Sequence, residues 1–300
     1  GHYTINLVVR DRDETILGTG TTSIQVRDRW IVALGDSYCS GEGNPDIPED
    51  AEGRRAVWMN DRCHRSSSSW ASRLSDRVHR SDPSSPVIFS FLCCTGASVE
   101  QGVLRSTPQQ PIPQMAVVEQ IANKFELRPD LVLLSVGGND IGYAEILHAL
   151  GNGHETTLFG TMHLRFMFAS QQLDQLATRL SSLRPRRVLF PHYFDPSRDE
   201  HGNFDASCQD LQHIGSSNLR HAEEMILRRL NRMISAKCVE NGWTHVDVSS
   251  VFQKAGICSR HSRIRTMADS KRLEGSTLGA FHPTAEAHAE IARLLWTAGH

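Results

Sequence analysis

Nowhere in the 300 residues does an apolar run approach the ~20 residues a membrane-spanning helix needs, so no integral membrane segment is expected. The chain also lacks a charge excess of either sign. Its 32 basic and 34 acidic residues leave a formal net charge of −2, which is not the basic footprint of a nucleic-acid-binding protein. Short arginine clusters at Arg184, Arg186, Arg187 and at Arg260, Arg263, Arg265 come with no RNA- or DNA-binding motif and read as solvated surface. No GxxxxGK[ST] or GxGxxG string is present to cradle a phosphate. The cysteines form no CxxC pair and no zinc-ligand spacing. The expectation is therefore no cofactor, no metal and no nucleic-acid partner, in a chain that works as a monomer. A signal-peptide pattern is missing too, but Gly1 to Thr4 read as either a cloning scar or a trimmed end, so that says little about a native precursor.

What is abundant is cysteine: seven, a high count for a cytosolic enzyme of this size. Cys93 and Cys94 are adjacent, a poor arrangement for joint metal ligation. The count suits an oxidising, extracytoplasmic compartment with two or three disulfides, and its oddness leaves at least one thiol free or paired outside the chain. With 39% hydrophobic and 22% charged residues the composition is that of a globular protein with a substantial core.

Residues 1–29 differ from the rest. Ile5, Leu7 and Val9 alternate with polar residues, as does the stretch Ser23 to Arg27, and a turn-rich segment separates the two. That is the pattern of a β-hairpin. It fits either the last strands of a β-sandwich module or a hairpin decorating the main domain. From residue 30 to 300 the pattern becomes short apolar runs, at Ile31–Leu34, Val87–Leu92, Leu131–Val136, Arg187–Phe190 and His245–Val248. Unbroken runs suit strands covered on both faces. Helical periodicity predicts helices at Ser69–Arg80, Gln114–Phe125, Gln172–Leu183 and Ser217–Asn241, and a last one opened by Pro283 in its first turn. Alternating strands and helices imply a doubly wound α/β domain.

Four short motifs fall at the ends of these elements. Gly35-Asp36-Ser37 follows the first run, Cys94-Thr95-Gly96-Ala97 the second, and Gly137-Gly138-Asn139-Asp140 the third; Phe281-His282-Pro283 precedes the last helix. Open α/β sheets bind ligands at the carboxyl ends of their strands. With these motifs the chain resembles the SGNH hydrolases, also called GDSL esterases and lipases. The string Ala33 to Gly43, with its GDSYxSGEG opening, and Cys63-His64-Arg65-Ser66 are similar to the secreted bacterial branch. The resemblance implies a flavodoxin-like three-layer α/β/α sandwich around a parallel sheet. It also implies a nucleophile at Ser37, a general base at His282, and an oxyanion hole from the Ser37 N–H, the Gly96 N–H and Asn139. It further implies a disulfide between Cys63 and Cys94, with Cys208 and Cys258 as the next pair. Cys39 is expected to be a packed thiol.

The chemistry needs these residue types. A serine hydroxyl attacks only when a base removes its proton, and the tetrahedral oxyanion needs fixed donors. Of 15 histidines, His282 alone sits at a motif before a proline-initiated amphipathic helix; His288 reads as an ordinary helical position, and His192 and His261 as loop residues. One departure stands out. The family usually carries Asp three residues before the histidine, whereas this chain has Gly279. The expectation is a Ser37–His282 dyad oriented by the Gly279 carbonyl, with Asp269 as the fallback acid. The substrate class is a lipid or small acyl ester, with a carbohydrate O-acetyl ester or an inactive binding module as alternatives. The segment Ile141 to Ala169, with Leu158, Phe159, Met162, Leu164, Phe166, Met167 and Phe168, fits either an apolar lid over an acyl chain or a buried helix.

Overall fold

A computed structural model describes residues 1–143, 145–146 and 155–299, with no side chains given for 155–159. The N-terminal hairpin pairs β1 (His2–Arg10) with β2 (Ile16–Gln25) in antiparallel register, His2 opposite Gln25. Every residue of both strands is exposed. A two-stranded ribbon with no covered face gains little from burial.

The rest is a five-stranded parallel sheet. Its strands are β3 (Arg29–Gly35), β4 (Val87–Phe91), β5 (Leu131–Ser135), β6 (Val188–Pro191) and β7 (Thr244–Val246), in the order β4-β3-β5-β6-β7. This is the flavodoxin-like order, with its topological switch between β3 and β5. The apolar runs became strands because helices cover both faces: Trp30 through Gly35 and all of β6 are buried. On one face α2 (Trp70–Ser81) packs against the last helix, and on the other α3 (Gln114–Phe125) packs against a long α4 (Glu155–Leu183). Between β3 and α2 lies a single turn, α1 (Ser37–Ser40). After β6, α5 (Ser216–Ala222) passes through a π-helical turn, Glu223–Leu227, into α6 (Arg228–Asn241). Then come α7 (Met267–Glu274) and α8 (Ala285–Ala298).

Three expectations shift. The helix predicted from Gln172 begins at Glu155, because Met162, Phe166 and Ala169 extend the buried stripe of Leu173, Leu176 and Leu180. Leu164, Met167 and Phe168 face outward on that helix, so the segment is a helix rather than a lid along this part; the side chains of Leu158 and Phe159 lie outside the described residues. Pro283 stands before the cap of α8 rather than in its first turn, and the Thr284 side chain caps the helix by accepting from the Ala287 N–H. Finally, Cys39 is not a free thiol: it pairs with Cys93, alongside Cys63–Cys94 and Cys208–Cys258, leaving only Cys238 free and buried.

Candidate active site

The first strand ends in a glycine for a steric reason. Gly35 has φ +146°, and a Cβ there would lie 2.1 Å from the Ser135 carbonyl oxygen of the neighbouring strand. Gln114 of α3 clamps this strand end, accepting from the Gly35 N–H at 2.8 Å and donating to its carbonyl at 2.9 Å. The chain then turns into α1, with Asp36 as N-cap accepting from the Tyr38 N–H. Ser37 is the first residue of that turn and is nearly buried.

Asp36 ties the Ser37 turn to the adjacent loops. Its carboxylate accepts from the Ser135 hydroxyl at 2.9 Å and from the Tyr193 phenol at 2.5 Å, while the Tyr193 oxygen accepts the Gly138 N–H at 3.0 Å. Tyr193 thereby links Gly35-Asp36-Ser37 to Gly137-Gly138-Asn139-Asp140. Burial pushes Asp36 up to about 6, against the hydrogen bonds from Tyr193 and Ser135. Burial likewise pushes Asp140 up to about 7, although its carboxylate accepts the Val99 N–H.

His282 reaches the same point from the other end of the chain. Its Nε2 lies 2.8 Å from Ser37 Oγ and its Nδ1 3.0 Å from the Ala280 carbonyl oxygen. The carbonyl facing Nδ1 is thus that of Ala280, one residue beyond the expected Gly279. The Gly279 carbonyl accepts the His282 backbone N–H instead, at 3.2 Å. Phe281, with φ +64°, uncommon for a non-glycine residue, turns the chain between the Ala280 peptide and His282. Arg265 holds the strained loop, its carbonyl accepting the Phe281 N–H and its N–H donating to the His282 carbonyl, both at 2.8 Å. The Tyr38 hydroxyl adds a bond to the Phe281 carbonyl, and its ring lies 4.9 Å from the His282 ring. Asp269 is occupied elsewhere. It closes a capping box with Thr266 at the start of α7 and pairs with Arg272, so it is not the partner of His282. Burial lowers the His282 pKa below its usual value, opposed by the negative charge of Glu42 and by the Ala280 and Gly279 carbonyls.

The expected donors also stand ready. Among the described residues the peptide N–H groups of Ser37 and Gly96 have no hydrogen-bond acceptor. Gly96 has φ +74° on the loop locked by Cys63–Cys94 and Cys39–Cys93. The Asn139 amide donates one hydrogen to the Ala97 carbonyl at 2.8 Å, which fixes its rotamer and leaves the second hydrogen without an acceptor among the described residues. Arg65 braces this loop through the Cys93 and Leu92 carbonyls.

Two cavities flank the pair. One, of about 80 Å³, is apolar and lined by Tyr38, Ile141, Tyr143, Leu219, Ile226 and Leu230. The other is an open cleft of mixed polarity bounded by Gly96, Glu100, Gln101, Arg105 and Thr107. Sequence reasoning missed Gln114, Tyr193 and Glu42. It also took His288 for an ordinary helical position, whereas that ring is fully buried and accepts the Trp70 N–H at 3.2 Å. His192 sits against Ser235 and stacks on His245, away from the dyad.

The sequence profile of the GDSL-like lipase/acylhydrolase family matches residues 33–290. Among solved structures, an extracellular lipase of Streptomyces rimosus is similar with a TM-score of 0.64 at 18% identity, over 90% of this chain and 99% of that one. A phospholipase A1 of Streptomyces albidoflavus NA297 is similar with a TM-score of 0.56 at 21% identity, over 91% of this chain and 100% of that one. At these identities the likeness is one of fold. No curated protein sequence matches the chain.

Proposed function

Because the chain belongs to the GDSL-like lipase/acylhydrolase family, we propose that it is a serine ester hydrolase in which Ser37 is the nucleophile and His282 the general base. The observation that carries this reading is the 2.8 Å contact from His282 Nε2 to Ser37 Oγ, with Nδ1 turned to a carbonyl. A carbonyl can only accept, so Nδ1 keeps the proton and Nε2 offers its lone pair. Ser37 Oγ attacks the ester carbonyl carbon while its proton passes to Nε2. The oxyanion is met by the N–H groups of Ser37 and Gly96 and by the second amide hydrogen of Asn139. Collapse of the intermediate releases the alcohol, which takes the proton from His282. Water, deprotonated in turn by Nε2, then attacks the acyl-Ser37 ester, and collapse frees the acid while the proton returns from Nε2 to Ser37 Oγ.

The apolar cavity beside Tyr38 suits an acyl chain, and the open cleft beside Gly96 leaves room for the alcohol part, which favours a lipid or small acyl ester as the substrate class. The three disulfides suit a secreted or otherwise extracytoplasmic enzyme. The test is labelling with a fluorophosphonate probe, compared with Ser37→Ala. Labelling of the parent alone is expected; labelling that persists in the variant refutes Ser37 as the nucleophile, and no labelling of the parent refutes the assignment and favours a binding module. A panel of short- and long-acyl p-nitrophenyl esters together with acetylated xylan then fixes the substrate class.

A further inference from the structure

Below the Ser37 turn lies a polar cluster of three side chains, of which only Glu42 bears on ester hydrolysis as described, through its charge on His282. Glu42 enters it from the end of the α1 turn, His64 from the loop after Cys63, and Glu274 from the last residue of α7. One ligand-capable atom of each lies within 4.8 Å of the other two. We propose that Glu42, His64 and Glu274 form a binding site for a zinc-class divalent cation, a property independent of the hydrolase reading.

Two orphaned atoms point to a missing partner. Glu42 is fully buried and its Oε2 accepts no hydrogen bond of normal geometry, although the Thr95 side chain lies near enough to favour its charged form; the Oε2 of Glu274 is also buried and also accepts none. Buried carboxylate oxygens in this state are uncommon and costly. The charge balance points the same way. Among the described residues no Lys or Arg forms an ion pair with either glutamate; the group in direct contact is the His64 ring, whose Nδ1 lies 2.7 Å from Glu42 Oε1, while Arg265 acts on Glu274 only from beyond ion-pair distance. Two carboxylates and a neutral imidazole would be balanced by one divalent cation.

The ligands are also held as ligands usually are. Glu274 Oε1 accepts from the Ser270 hydroxyl at 2.8 Å and the Gly279 N–H at 2.7 Å, which orients its other oxygen. The His64 ring stacks on Trp58 with centroids 4.5 Å apart, and its backbone sits at φ +46°, a strained conformation retained at the cluster. One imidazole nitrogen with two carboxylate oxygens is a zinc-type donor set, leaving a fourth position for water. Calcium and magnesium, which prefer all-oxygen shells, fit it poorly. Tetrahedral zinc with bonds of about 2.0–2.1 Å requires the widest pair to close somewhat. Glu274, on the half-buried side, has the freedom to do so. Zinc takes the Nδ1 lone pair, so binding displaces the proton His64 now shares with Glu42.

The test is titration of EDTA-treated full-length protein with zinc chloride by calorimetry in two buffers of different ionisation enthalpy. One saturable site with release of about one proton is expected. Binding should weaken at least tenfold in Glu274→Gln and in His64→Gln but persist in His282→Asn. No saturable zinc binding by the parent, leaving the pair to share a proton, would overturn the proposal. So would binding indifferent to Glu274→Gln, or binding lost in His282→Asn, which would place the metal at the dyad. If the cluster variants do not fold, anomalous diffraction from zinc-soaked parent crystals decides: a peak between the three side chains supports the site, and its absence refutes it.

Discussion

Replacing Tyr193 with phenylalanine isolates the polar link between the nucleophile turn and the Asn139 loop. The change removes one oxygen from a buried ring and creates almost no cavity, so its effect is that of two hydrogen bonds. The Gly138 N–H loses its acceptor at 3.0 Å, and the Asp36 carboxylate loses a donor at 2.5 Å. A buried N–H left unpaired costs about 1–3 kcal/mol, and a bond to an ionised group contributes roughly 1.5–3 kcal/mol. Ser135 and the Tyr38 N–H still serve Asp36, so the expected loss is about 2–4 kcal/mol at pH 8. The loss has a pH signature. Asp36 titrates at about 6 in the folded protein, above an ordinary aspartate, so the folded state holds its proton more tightly than the unfolded chain. The stability arising from that shift is full below the unfolded pKa and lost as pH rises through about 6. The Tyr193 phenol relieves part of the loss by stabilising the charged form. Without it the Asp36 pKa rises further, and the deficit of Tyr193→Phe is larger at pH 8 than at pH 5. Urea unfolding with disulfides intact measures both values. Because the Gly138 turn carries Asn139, kcat should fall about tenfold, or ~1.4 kcal/mol of barrier, with KM little changed. A deficit under about 0.5 kcal/mol at pH 8, or one greater at pH 5 than at pH 8, would refute the reasoning.

Burial lowers the pKa of His282, so the base stays neutral below the ordinary histidine value; kcat/KM should hold through pH 6.5 and fall only at lower pH, and a midpoint above 6.5 in a rate profile on a neutral ester would contradict this. His288 is depressed to about 3 by burial. Its neutral form is what the fold accepts, so the unfolded chain takes up the proton first and stability drains as pH falls below about 6.5. His288→Gln keeps an acceptor for the Trp70 N–H but cannot titrate, so between pH 6.5 and 4.5 the parent should lose roughly 2–3 kcal/mol relative to it in urea unfolding; equal pH slopes would rule this out. Gly279→Asp, which supplies the acid at the family position, should lower both activity and melting temperature, because a Cβ there would lie 2.4 Å from the Gly43 Cα; a gain in turnover would show that the loop can yield.

Strands and motifs were legible in the sequence because they rest on short-range physics. Ile31 to Leu34 and Leu131 to Val136 read as strands because a sheet covered on both faces tolerates no polar alternation. Ser37, Gly96 and Asn139 were locatable because each directly follows such a run. What stayed hidden depends on partners distant in the chain. Tyr193 is 157 residues from Asp36 and Gln114 is 79 from Gly35, and nothing local to either announces its partner. The Cys39–Cys93 bond was masked for the same reason: adjacent Cys93 and Cys94 send their sulfurs to different loops, and only the fold decides which. That bond spans 54 residues and, in the chain-entropy account, contributes about 4 kcal/mol. The start of α4 was hidden by composition, since Gly160 and the phenylalanines around it weaken a helical pattern that burial nonetheless sustains.

The departure at Gly279 now has a physical cause. In a serine triad the acid does two things: it fixes the histidine tautomer and it supplies negative charge when the ring becomes cationic. A side chain at position 279 is excluded, because the loop bearing His282 lies directly on Gly43 of the nucleophile turn. The two duties are separated instead. The Ala280 carbonyl, fixed by the strained Phe281 and the Arg265 bridge, accepts from Nδ1, and the buried Glu42 lends charge that raises the His282 pKa against its burial. The close packing that excludes the acid also places Glu42, the neighbour of Gly43, where its charge acts on the ring. On this reasoning Glu42→Gln leaves the resting tautomer intact and weakens only the cationic state, whereas a change that turns the Ala280 peptide away disturbs the base before any substrate arrives.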